Sequence, residues 1–159
     1  MNDRRVAILG GGLYRPGRVR YDNAEEGVAM AYRSMLDDFP NLDPKDIEFV
    51  QSSYFSDHLN QQLCMAWIVQ DYIGQHRKGG YRIEAGGSTP IDALINAYFL
   101  IKSGQFDLIL LAGWEWMSEV DTANGAVELN PLFRIGDSHV QRRLCPTNHL
   151  GTLGHYSLL

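Results

Sequence analysis

The sequence predicts an α/β layered domain with a mostly parallel sheet covered by helices. Three observations carry this expectation. Short apolar runs alternate with helix-length segments in the order β, α, β, α, β, α, β over residues 6–112, the pattern that builds right-handed crossover units. The run Leu108–Ala112 is apolar without alternation, as a strand covered on both faces is. Proline, glycine and short polar residues punctuate the segment ends.

The first strand is expected at Val6–Leu9, stopped by Gly10-Gly11-Gly12. A basic loop with Pro16 and Gly17 follows. Asn23 is a suitable N-cap, and Glu25 and Glu26 suit the positive end of a helix. Val28, Met30, Ala31, Met35 and Leu36 then recur at roughly helical spacing up to Pro40. Asp43-Pro44-Lys45-Asp46 reads as one helical turn with proline first. Ile47–Ser52 is the second strand, and Leu59–Ile73 a mostly buried helix closed by Gly74.

Tyr81–Ala85 is the third strand. In the helix after it, Thr89 is the expected cap, with Pro90 at N1 and Asp92 completing a variant capping box. Ile91, Leu94, Ile95, Tyr98, Phe99 and Ile101 make this helix apolar on several sides, which predicts burial. Gly104 ends it and Leu108–Ala112 is the fourth strand. After Met117 the periodicity fades, and Asn124–Pro146 reads as a long excursion of the kind that builds a site or interface. The expected division is a β/α core at 1–118 and a loop region at 119–159 that starts a further helix and stops in mid-element.

Composition narrows the function classes. The chain of 159 residues is 45% hydrophobic, enough for one domain with a real core. A net charge of −5, with Arg15, Arg18 and Arg20 the densest basic cluster, argues against nucleic acid. Cys64 and Cys145 form no CxxC pair, which argues against a zinc site or a disulfide framework and fits a reducing cytoplasm. The four apolar residues after Arg5 are too few for a signal-peptide core, and no run reaches the ~18 residues of a membrane span. A cytoplasmic protein without a membrane partner is the expectation.

Two motifs carry the chemistry. Arg82-Ile83-Glu84-Ala85-Gly86-Gly87-Ser88-Thr89-Pro90 runs from a strand through a glycine turn into a helix, and Gly113-Trp114-Glu115-Trp116-Met117-Ser118 closes the fourth strand. Together with the loop in Ala7–Arg18, Asp46-Ile47-Glu48 and Ile101-x-Ser103-Gly104, their order and spacing resemble the N-terminal half of thiolases, in the sterol-carrier-type and archaeal-type branch. The resemblance implies a thiolase-like layered fold, coenzyme A thioesters as substrates, and no metal or nicotinamide cofactor. It also implies a homodimer in which Tyr81–Ala85 packs near its two-fold mate, or a second chain or segment supplying the C-terminal half, or both, and a small partner of the kind family members often work with, carrying a zinc ribbon and an OB-fold.

The family's nucleophilic cysteine aligns with Gly87. A helix N-terminus lowers a thiol pKa and stabilises a thiolate; glycine keeps the amides and supplies no nucleophile. The family's Gly-His-Pro and Cys-x-Gly motifs do not occur in this sequence.

Three readings of the turn stand side by side. The Gly87 turn stabilises an enolate or carbonyl oxygen in C–C bond chemistry on an acyl-CoA, without a covalent intermediate. Ser88 replaces the cysteine, although the sequence shows no evident base beside it. The turn is catalytically silent, and the chain is a non-catalytic subunit or scaffold that binds partner proteins.

Other candidates weigh less. Gly86 and Gly87 at a helix start suit a coenzyme A phosphate. Gly10-Gly11-Gly12 lacks the later glycine and helix start of a dinucleotide fingerprint, since Arg15 and Pro16 stand there. Glu115 is expected to tie down its turn, and Trp114 and Trp116 to fill core or interface. Tyr54–His58 follows the second strand and lines an acyl pocket or contacts a partner. Of His139, His149 and His155, His149 is the candidate to approach substrate; Cys145 is expected to be a half-buried thiol.

Overall fold

The computed structural model describes residues 4–14, 23–57 and 62–115. Among them, the order is α1 (Ala24–Asp38), a 3-10 turn (Pro44–Asp46), β1 (Phe49–Ser53), α2 (Met65–Tyr72), β2 (Gly79–Ile83), a 3-10 turn (Gly86–Ser88), α3 (Thr89–Lys102) and β3 (Ile109–Gly113). The expected boundary between residues 118 and 119 lies outside the described residues.

The three strands form a parallel sheet in the order β2-β1-β3. Phe49 pairs in register with Gly79 and Ile109, and Ser53 with Ile83 and Gly113. The chain steps from β1 outward to β2, then back across β1 to β3. Right-handed crossovers in opposite directions place α2 and α3 on opposite faces of the sheet. The contacts agree. Val50, Leu110 and Ala112 share a core with α1 and α2, including Val28, Ala66 and Val69. Gln51, which points the other way, donates from Nε2 to the Ala93 carbonyl of α3 at 2.5 Å.

Local chemistry explains the element ends. Glu26 N–H donates to Asn23 Oδ1 at 3.0 Å, capping α1 as expected. Lys45 N–H donates to Asp43 Oδ1 at 2.9 Å with Pro44 at the turn's start. Gly74 adopts φ 77 after α2, a left-handed conformation that glycine takes without a Cβ penalty. The loop after α2 is held by two buried amides. Gln70 Nε2 donates to the carbonyls of Gln75 and Lys78, and Gln75 Nε2 to Tyr32 Oη and the Pro44 carbonyl. A Cβ on Gly80 would lie 2.6 Å from the Val50 carbonyl oxygen and 2.5 Å from Gln70 Oε1, so only glycine lets α2 close on the sheet here.

Four sequence-based expectations are corrected. Val6–Leu9 forms no strand; Ile8 and Leu9 are exposed. The segment is pinned at its start, where Arg4 pairs with Asp107 and accepts from Lys102 Nζ at its carbonyl. It then leaves β3 to lie on α1, where a Cβ on Gly10 would strike the Phe39 ring and one on Gly12 would strike Ala31 and Met35. An apolar run reports a wish for burial, but a strand needs an edge to pair with.

The second helix starts at Met65, and Cys64 before it is exposed with φ 59, outside the helical pattern it was assigned to. Leu63 and Trp67 are exposed as well. The cap of α3 differs, as described below. Finally, α3 is not buried all round: Ala93 and Ala97 face the sheet, while Ile91, Leu94, Ile95, Tyr98 and Phe99 are exposed.

Candidate active site

The glycine turn sits at the carboxyl end of the parallel sheet, where ligands of open α/β sheets bind. β2 ends at Ile83, and six residues later the chain is in α3. Gly86 takes the left-handed conformation, φ 58. Gly87 is exposed and has no such requirement.

Side chains lock this turn. Gly86 N–H donates to Glu84 Oε1 at 2.7 Å, and Ser88 N–H to the Ala85 carbonyl at 3.3 Å. Thr89 Oγ1 accepts from Ala85 N–H at 2.8 Å and donates to the Gly86 carbonyl at 2.6 Å. Thr89 is therefore the first residue of α3 and a brace across the turn, rather than the N-cap that its spacing to Asp92 suggested. Ser88 occupies the cap position, with Oγ 2.6 Å from Asp92 Oδ2 and 2.9 Å from the Ala85 carbonyl oxygen.

The structure thus holds Gly86, Gly87 and Ser88 on one hydrogen-bonded turn and gives Ser88 a carboxylate neighbour. The sequence did hold that signal: positions 88 and 92 are four apart in a helical segment, hence on one face. Thr89, an equally competent cap by spacing, masks it.

A second group assembles at the ends of all three strands. Tyr54 follows β1 and is 2% exposed. Its Oη donates to Asp57 Oδ1 at 2.6 Å and accepts from Ala66 N–H at 3.2 Å. Its ring stacks on Trp114 with centroids 4.4 Å apart. The Arg82 guanidinium lies 4.8 Å from the Tyr54 ring centroid, with Nη1 3.7 Å from Asp57 Oδ2. Glu115 Oε2 accepts from Phe55 N–H at 2.8 Å, tying the end of β3 to the end of β1.

Burial, reinforced by the Asp57 carboxylate, pushes the Tyr54 phenol up to about 12. Burial also raises the Glu115 carboxyl, against the opposing pull of Phe55 N–H and Arg82. The sequence leaves Tyr54–His58 open between an acyl pocket and a partner contact and gives Glu115 its tie-down role, but it does not signal Arg82 or the convergence on Asp57. Three separate segments contribute to this group, and no spacing within one segment signals it.

His58, Cys145, His139, His149, His155 and Trp116–Ser118 lie outside the described residues. Gly10-Gly11-Gly12 opens no helix and lines an apolar cavity of about 710 Å3 between residues 4–12, α1, α3 and β3. None of residues 84–88 lines that cavity. Among the described residues, no three His, Cys, Asp or Glu side chains converge as metal ligands, and no helix is long and apolar enough to cross a membrane.

No family model matches the chain. Among solved structures it is similar to 3-oxoacyl-[acyl-carrier-protein] synthase III from Aquifex aeolicus VF5. The identity is 24% and the TM-score 0.55, over 65% of this chain and 34% of that one. The chain spans about a third of the length of this neighbour. What the two share at this identity is the fold: a parallel α/β sheet flanked by helices, of the thiolase-like type.

Proposed function

We propose that the chain is the first β/α unit of a thiolase-like protein acting on acyl thioesters, in which the Gly86–Ser88 turn holds a carbonyl or enolate oxygen without forming a covalent intermediate. The observation that carries this reading is the turn itself: braced by Glu84, Thr89 and Asp92, placed at the carboxyl ends of the strands and the start of α3, and without a side chain at Gly87. The Gly86 and Ser88 amides already have acceptors, which leaves the Gly87 N–H as the donor offered to a substrate oxygen. A preorganised donor at a helix start stabilises charge as it develops on oxygen. Coenzyme A enters as the carrier of the substrate, and retro-Claisen or retro-aldol cleavage, or its reverse, is the reaction class.

A second reading, a non-catalytic unit that binds partner proteins, is favoured by the same closure. Two of three turn amides and the Ser88 hydroxyl are satisfied within the turn. Calorimetric titration with acetyl-CoA and with a 3-oxoacyl-CoA separates the two. Saturable binding of the thioesters, absent with free coenzyme A, supports the acyl-thioester reading. A chain indifferent to all three is the partner-binding unit.

A further inference from the structure

We draw no further inference here: the strongest candidate, the apolar cavity between residues 4–12, α1, α3 and β3, shares no residue with the Gly86–Ser88 turn, and nothing in the structure shows what covers it.

Discussion

Replacing Tyr54 by Phe removes one oxygen atom from the junction of β1, α2 and the strand-end group. That oxygen donates to Asp57 Oδ1 at 2.6 Å and accepts from Ala66 N–H at 3.2 Å. The ring stays, with its stacking on Trp114 and its contact with Arg82. A hydrogen bond to a charged group contributes about 1.5–3 kcal/mol, and an amide left without an acceptor adds to the loss. The expected destabilisation is therefore about 2–3 kcal/mol at pH 7, a shift of roughly 1–2 M in the urea midpoint for a small domain.

The same phenol gives an alkaline signature. In the unfolded chain it ionises near its model value of 10.0; in the folded chain it holds its proton to about 12. Between those values the unfolded state binds fewer protons, so stability falls as pH rises. At about 1.4 kcal/mol per unit the loss approaches 3 kcal/mol. The advantage of wild type over Tyr54→Phe is therefore full below pH 10 and shrinks toward zero by pH 12. Urea titrations of both proteins at several alkaline pH values measure it, because groups common to both cancel. A difference under about 0.5 kcal/mol at pH 7, or one unchanged over that alkaline range, refutes the account of this junction.

Three further outcomes are expected. Glu115→Gln keeps an acceptor for Phe55 N–H and removes a carboxylate that burial disfavours as an anion. It should be neutral or stabilising at pH 7, with its advantage fading as pH falls through the carboxyl range, whereas Glu115→Ala should cost about 1–3 kcal/mol; urea unfolding across acidic pH checks both.

Gly87→Cys places a thiol at an exposed site that needs no left-handed backbone, at the start of a 14-residue helix. In a Cys64→Ser, Cys145→Ser background, it should alkylate faster than free cysteine near neutral pH, because the helix end favours the thiolate. Iodoacetamide rates against pH measure it. Val69→Ala, at the fully buried centre of α2, should cost about 1–3 kcal/mol through lost transfer energy and a residual cavity.

How much was legible in the sequence varied with the range of the interaction. The α1 cap at Asn23, the proline turn at Pro44, the glycine stop at Gly74 and the strand–turn–helix at Arg82–Pro90 were all legible. Each depends on a few adjacent residues and on backbone chemistry that neighbours cannot easily override. The glycine turn was placed correctly for that reason, and its internal bonds were misassigned because Ser88 and Thr89 are both competent caps. Only the folded backbone decides which hydroxyl reaches Asp92 and which reaches back to Ala85.

By itself, then, the sequence determined the alternation of elements, the parallel class of the sheet, and a glycine turn at the start of a helix. These follow from periodicity and from residue types whose effects are local. Tertiary structure alone decided the rest. It put β1 at the centre of the sheet despite Gln51, Ser52 and Ser53, because pairing on both edges buries a strand whatever its side chains. It denied Val6–Leu9 a strand, brought Arg82 and Glu115 to Tyr54 and Asp57, and, among the described residues, left one face of α3 exposed. Each of those outcomes rests on which distant segment comes alongside, and a one-dimensional pattern of apolar and polar residues states that a surface is to be covered without stating what covers it.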